Sequence, residues 1–211
     1  AVLPDLVRAF GQSLSVAVPS ALAAAALAFP VAVLAVRYPS PLSTFINRLA
    51  FVGYAVPALA FALAFVFFAL HGARWLYQTH LLLIMVYALS FLALALGPIR
   101  SALYQARPSV EEAARALGHG PASVFWRVTM PTIRPGVVAG MVLVFVIAMK
   151  ELPIAFLLAP TGFRPLSITM FTRTSEGMLL EAAPYAAAII LFSALFVGFV
   201  LRHDRKTGDE R

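Results

Sequence analysis

An all-α, polytopic membrane fold of about five transmembrane helices is what this sequence predicts, and three observations predict it. The 211 residues are 62% hydrophobic and only 12% charged, whereas ordinary soluble domains are near half apolar and about a quarter charged. The apolar residues fall into five long runs, which suits spans facing hydrocarbon rather than one globular core. The basic residues gather in alternate loops between those runs.

The first run is Leu14 to Val36, alanine-rich and carrying Pro19 and Pro30. The second is Leu49 to Leu70, with Pro57, and the third is Leu81 to Gly97. The fourth, Gly136 to Ala159, is interrupted by Lys150, Glu151 and Pro153, and the fifth is Met178 to Leu201. A bilayer core of ~30 Å needs about 20 helical residues, which these runs approach or exceed. Prolines inside them are tolerable because neighbouring helices can satisfy the freed carbonyls. Within the first run, 21-ALAAAALA-28 either offers a small-residue surface for close helix packing or merely fills the span.

Five spans put the chain ends on opposite sides. One side then holds eleven basic residues: Arg37, Arg48, the five arginines from Arg100 to Arg134, and Arg202, Arg205, Lys206 and Arg211. The other side holds four, Arg8, Arg74, Arg164 and Arg173. The positive-inside rule makes the richer side cytoplasmic, so the loop 98–135 and the C-terminal tail are expected inside and the N-terminus outside. The net charge of +7 is thus spent on topology, and nucleic acid is not an expected partner. Trp75, Tyr77 and Trp126 suit interfacial belts.

The cytoplasmic loop carries a clear local code. Ser109 followed by Glu112 reads as a capping box, and Gly118 as a C-terminal stop. A short helix over Val110 to Leu117 follows, with Val110, Ala113, Ala114 and Leu117 on one face. Pro121 is expected to open a second helical turn bearing Val124, Phe125 and Val128, and Pro131 and Pro135 to turn the chain before the fourth span. Isolated helices below ~12–15 residues are marginal in water, so something must pack on this one. Its own bundle or the membrane surface is one candidate, a soluble partner the other.

Glu112-Ala113-Ala114, three residues, Gly118, nine residues, Val128-Thr129-Met130-Pro131 and then Pro135 resembles the EAA loop of bacterial ATP-binding-cassette importer permeases, EAA-x3-G-x9-I-x-L-P. Val128 stands for the usual isoleucine and Met130 for leucine. The resemblance implies a MetI-like permease fold over residues 1–211, in which this loop is the coupling helix seated in a groove of the ATP-hydrolysing subunit. Glu112, Ala113, Ala114, Leu117 and Gly118 would then couple to the ATPase, and Pro131 and Pro135 would shape the return. It further implies a solute-binding protein outside, a second permease half as the same chain or a dimer partner, and a bacterial inner-membrane location.

The stretch 150–184 holds the other signal. Counting ~1.5 Å per residue from Gly136 puts Glu151 about 22 Å up, in the outer half of the bilayer. Ionisable residues there are costly, and adjacent helical residues do not face one another. Lys150, Glu151 and Pro153, a polar spot in a broken helix, mark either a translocation path or gate or a structural contact with another helix. The wording 150-KELP-153, 161-TGF-163, 175-SEG-177 and 182-AAP-184 resembles the ferric-iron branch of the same family. That resemblance implies ferric iron as cargo, with thiamine, polyamine, sulfate or another small solute as alternatives within the family. It also implies that such chains often carry two halves, and the start at Ala1 with no signal-peptide pattern fits a front-truncated chain or a C-terminal half.

Other chemistry finds little support. No G-x-x-x-x-G-K-[ST] phosphate loop is present, so no cofactor is expected on this chain; ATP and Mg²⁺ belong to the partner. Cysteine is absent, which excludes disulfides and thiolate metal sites. His71, His80, His119 and His203 lack i, i+4 pairing and read as solvated or interfacial. No Ser/His/Asp arrangement is identifiable, so the chain is expected not to be an enzyme. An ion-gradient secondary transporter is the rival from another class.

Overall fold

A computed structural model describes the backbone of residues 2–208 and the side chains of residues 3–198. The side chains of Arg202, His203, Arg205 and Lys206, and all of Arg211, lie outside the described residues. Among the described residues every regular element is helical: α1 (Val2–Arg37), α2 (Pro41–Leu49), α3 (Val52–Ala55), α4 (Ala58–Gly72), α5 (His80–Ser90), α6 (Leu92–Gln105), α7 (Pro108–Ala116), α8 (Pro121–Val124), α9 (Met130–Lys150), α10 (Pro153–Leu158), α11 (Leu166–Ser175) and α12 (Leu179–Gly208). Three helical stretches are long and apolar enough to cross a membrane: Leu3–Arg37, Pro121–Lys150 and Leu179–Gly198. Two bent pairs, Pro41–Ala55 with Ala58–Gly72 and His80–Ser90 with Leu92–Gln105, bring the total to as many as five.

The bundle is organised around α1, α6 and α9, which pack against one another. Alanine makes this possible on α1: Ala17, Ala21, Ala24, Ala28 and Ala32 are all buried, at spacings that keep them on one helix face. Glycine does the same on α9. A Cβ on Gly136 would meet Ala102 Cβ at 2.5 Å and the Pro98 carbonyl at 2.6 Å, and one on Gly140 would meet the Ala95 carbonyl at 2.9 Å. The α6 backbone therefore lies directly on the G-x-x-x-G strip of α9. On the opposite side α12 closes the bundle with Phe192 edge-on to Phe10 at 4.6 Å and Phe196 against Phe145 at 4.5 Å.

Two spans expected to be continuous are broken. The second bends by 105° between α3 and α4. Pro57 is the cause: Val56, immediately before it, is forced into extended backbone with ψ 138°, as residues preceding proline usually are. Gly53 lets this segment lie against the backbone of Leu89 and Ser90. The third span bends by 52° at Phe91 and runs on to Gln105, past the expected end at Gly97. Because Pro98 sits inside α6, proline here marks no terminus.

The two ends of the bundle differ in composition. At one end the start of α1 holds the loop before α11: Gln12 Oε1 accepts the Arg164 N–H at 2.8 Å and Ser13 Oγ accepts the Leu166 N–H at 2.9 Å. A cavity of about 450 Å³ lies there, lined by Arg8, Arg164, Arg173, Asp5 and Glu176 among others. At the other end Arg37, the end of α6 and helix α7 meet.

Candidate functional site

Helix α7 begins with Pro108 in its first turn, after Arg107 in extended backbone. Proline at that position needs no N–H partner and arrives with a helical φ. The expected capping box between Ser109 and Glu112 is not formed, since Ser109 already lies inside the helix and no side chain caps its start. The far end matches the expected stop. Gly118 has φ +87°, its N–H donates to Arg115 O at 2.9 Å, and His119 N–H donates to Ala114 O at 3.2 Å. This is the paired pattern of a Schellman cap, which favours glycine at the left-handed position.

None of the residues of α7 is buried. Glu112, Ala113 and Gly118 are exposed, and Leu117 just beyond the helix is 81% exposed. Ala114 is half-buried on the inward side. Among the described residues none covers the Leu117 side chain, which stands just before the glycine cap. The loop's second turn also forms: Val124 is buried and Phe125 stacks edge-on with Phe29 at 5.5 Å.

The prolines do not turn the chain as expected. Pro131 sits in the first turn of α9 and Pro135 inside it, so the chain runs helically from Pro121 to Lys150. A five-residue π turn, Phe125–Thr129, precedes α9, and the Met130 N–H reaches back to Phe125 O. A shift to i→i+5 bonding of this kind lets a helix absorb an irregularity.

The residue that organises this end of the bundle is Glu111, which sequence reasoning passed over in favour of its neighbour. Its Oε1 accepts from Arg37 at 3.1 Å and from the Thr129 hydroxyl at 3.1 Å, and its Oε2 lies 3.7 Å from Arg115. Arg37 also donates to Ala106 O at 2.9 Å. Motif spacing drew attention to Glu112; only the fold shows that the adjacent acid turns inward.

At the fourth span, Lys150 ends α9 and Pro153 opens α10. Among the described residues Lys150 and Glu151 form no salt bridge with each other or with another helix. The Glu151 carboxylate instead accepts the Ile154 N–H at 3.3 Å, within its own chain break. Its carbonyl accepts from Tyr87 Oη at 3.3 Å and Ser167 Oγ at 2.9 Å. The break is thus held to α5 and to α11. Lys150 is exposed. Among the described residues no three His, Cys, Asp or Glu side chains converge.

Residues 12–208 match the family described as binding-protein-dependent transport system inner membrane component. The chain belongs to that family. Among relatives of this permease is the Fe(3+)-transport system permease protein FbpB 2 of Haemophilus influenzae, 37% identical over 94% of the chain and 39% of the relative's length. Another is the putrescine transport system permease protein PotI of Escherichia coli K12, 31% identical over 92% of the chain and 71% of the relative. The chain therefore spans well under half of FbpB 2. In solved structures the fold is similar to the inward-facing MetNI methionine ABC transporter, with TM-score 0.74 and 16% identity over 95% of each chain. It is also similar to an amino acid ABC transporter, with TM-score 0.70 and 16% identity over 97% of this chain and 94% of the other. The MetI-like, all-α membrane architecture expected from the loop motif is the one observed.

Proposed function

We propose that this permease forms part of an ATP-binding-cassette importer that carries ferric iron across the bacterial inner membrane, with α7 docking a separate ATPase subunit. The observation that carries the docking is the open face of α7. Glu112, Ala113 and Leu117 have no cover among the described residues, and the Gly118 cap ends the helix that presents them. This end is cytoplasmic by its basic residues, and the N-terminus and the polar cavity then face outward, where a solute-binding protein delivers cargo. A second permease half completes the pathway, from the same chain or another copy. ATP and Mg²⁺ stay on the ATPase.

The cargo assignment rests on the 37% identity to FbpB 2 and on the KELP, TGF, SEG and AAP wording. Glu151 and Lys150, at the helix break between α9 and α10, are the path or gate residues in this reading. A polyamine cargo is the second reading, supported by the PotI relative. Proteoliposomes holding the permease, its ATPase and its binding protein should take up radiolabelled ferric iron only with ATP. Uptake of putrescine instead would overturn the iron assignment, and uptake that persists without ATP would overturn the importer class.

A further inference from the structure

Helix α7 has two faces with different tasks. Its outward face carries Glu112, Ala113 and Leu117. Its inward face carries Glu111, whose Oε1 gathers two donors from separate elements: Arg37 at the last residue of α1 and Thr129 at the end of the π turn that leads into α9. Arg37 simultaneously holds the carbonyl of Ala106, just past the end of α6. The inner ends of α1, α6 and α9, which form the packed centre of the bundle, thus meet α7 through one carboxylate and one guanidinium. The two side chains of the pair are each only 16% exposed. A pair this shielded is far less screened than a surface ion pair. Truncating one partner leaves the other's charge poorly solvated.

We propose that Arg37 and Glu111, with Thr129, are positioning residues that fasten α7 to the bundle, so that displacement of α7 is passed to α1 and α9 instead of being lost in the loop. The pair transmits; it does not dock. This extends the docking reading above and rests on it.

The test uses the permease in proteoliposomes with its ATPase and binding protein, and Glu111→Gln, Glu111→Ala, Arg37→Ala and Arg37→Ala/Glu111→Ala variants. Each single variant is expected to lower uptake per ATP hydrolysed by about tenfold, the order of one charge-assisted hydrogen bond. The double variant should fall no further than the worse single one, because the pair acts as a unit. Capture of the ATPase subunit should remain at the unmodified level in Glu111→Gln. Unchanged uptake per ATP in these variants would overturn the proposal. So would loss of ATPase capture in Glu111→Gln, which would make Glu111 a docking residue. Retained capture in Glu112→Lys would instead sink the docking reading, so the two failures are distinguishable.

A second readout does not depend on variants folding equally well. The chain has no cysteine, so spin labels can be placed at Tyr38→Cys, which is 64% exposed, and at Arg107→Cys, the exposed residue that precedes α7. Their separation should stay the same between nucleotide-free and vanadate-trapped complexes. A separation that changes with nucleotide would show that the fastening slips, and would overturn the proposal.

Discussion

Replacing Gly136 with alanine should loosen the centre of the bundle. A Cβ there would sit 2.5 Å from Ala102 Cβ and 2.6 Å from Pro98 O, while unstrained contacts between carbon atoms need ~3.5–4.0 Å. The shortfall is about 1 Å, and one side of it is backbone, so α6 and α9 must separate. Overpacking of this kind typically costs about 1–3 kcal/mol. Alanine's better helix propensity returns about 1 kcal/mol, leaving a net loss of up to about 2 kcal/mol. Adding Ala102→Gly should restore part of the loss but not all, because the Pro98 carbonyl stays in place. Gly11 is the control. It lies in α1 with nothing within 4 Å of its would-be Cβ, so Gly11→Ala should be neutral or stabilising by roughly 0.5–1 kcal/mol. Thermal unfolding in one detergent, followed by circular dichroism, ranks the three. A midpoint for Gly136→Ala as high as that for Gly11→Ala would refute the close approach.

Glu112→Lys should leave membrane insertion intact but weaken capture of the ATPase subunit, and so uncouple ATP hydrolysis from uptake, with capture, hydrolysis and uptake measured side by side in proteoliposomes. A bulky residue at Gly118 should do the same, since its φ of +87° costs a non-glycine residue about 1–2 kcal/mol and the cap that holds Leu117 would be lost. Glu151→Ala should reduce uptake more than it reduces the yield of assembled complex; equal losses would make Glu151 a packing residue. Ser167→Ala removes the hydroxyl that binds the Glu151 carbonyl at 2.9 Å and should lower stability by about 1 kcal/mol, read as a fall in the same unfolding midpoint.

Apolar runs made the membrane class and the approximate spans legible, because burial in hydrocarbon demands them over the whole length of each helix. The places where the runs bend were harder to read. Pro57 breaks its span, whereas Pro30, Pro98 and Pro135 are carried within helices; the difference lies in neighbours that local sequence does not reveal. Gly136 and Gly140 drew no packing reading from the sequence, because the α6 backbone that lies on them is set by tertiary packing. The motif picked out Glu112, Ala113, Leu117 and Gly118, which are exposed, together with Ala114, which turns inward. It could not identify Glu111, whose partners lie 74 residues before it and 18 after it. Nor could it show that the π turn would let Pro131 begin a helix in place of a bend.

Helix α1 touches both sides of the membrane-spanning bundle. Gln12 and Ser13 grip the loop before α11 at one end, and Arg37 grips α6 and α7 at the other. Its 36 residues form a rod of about 54 Å. A nanobody that jams Gln12 against Arg164 would therefore act through a single helix on the far end of the bundle, where Arg37 holds α7.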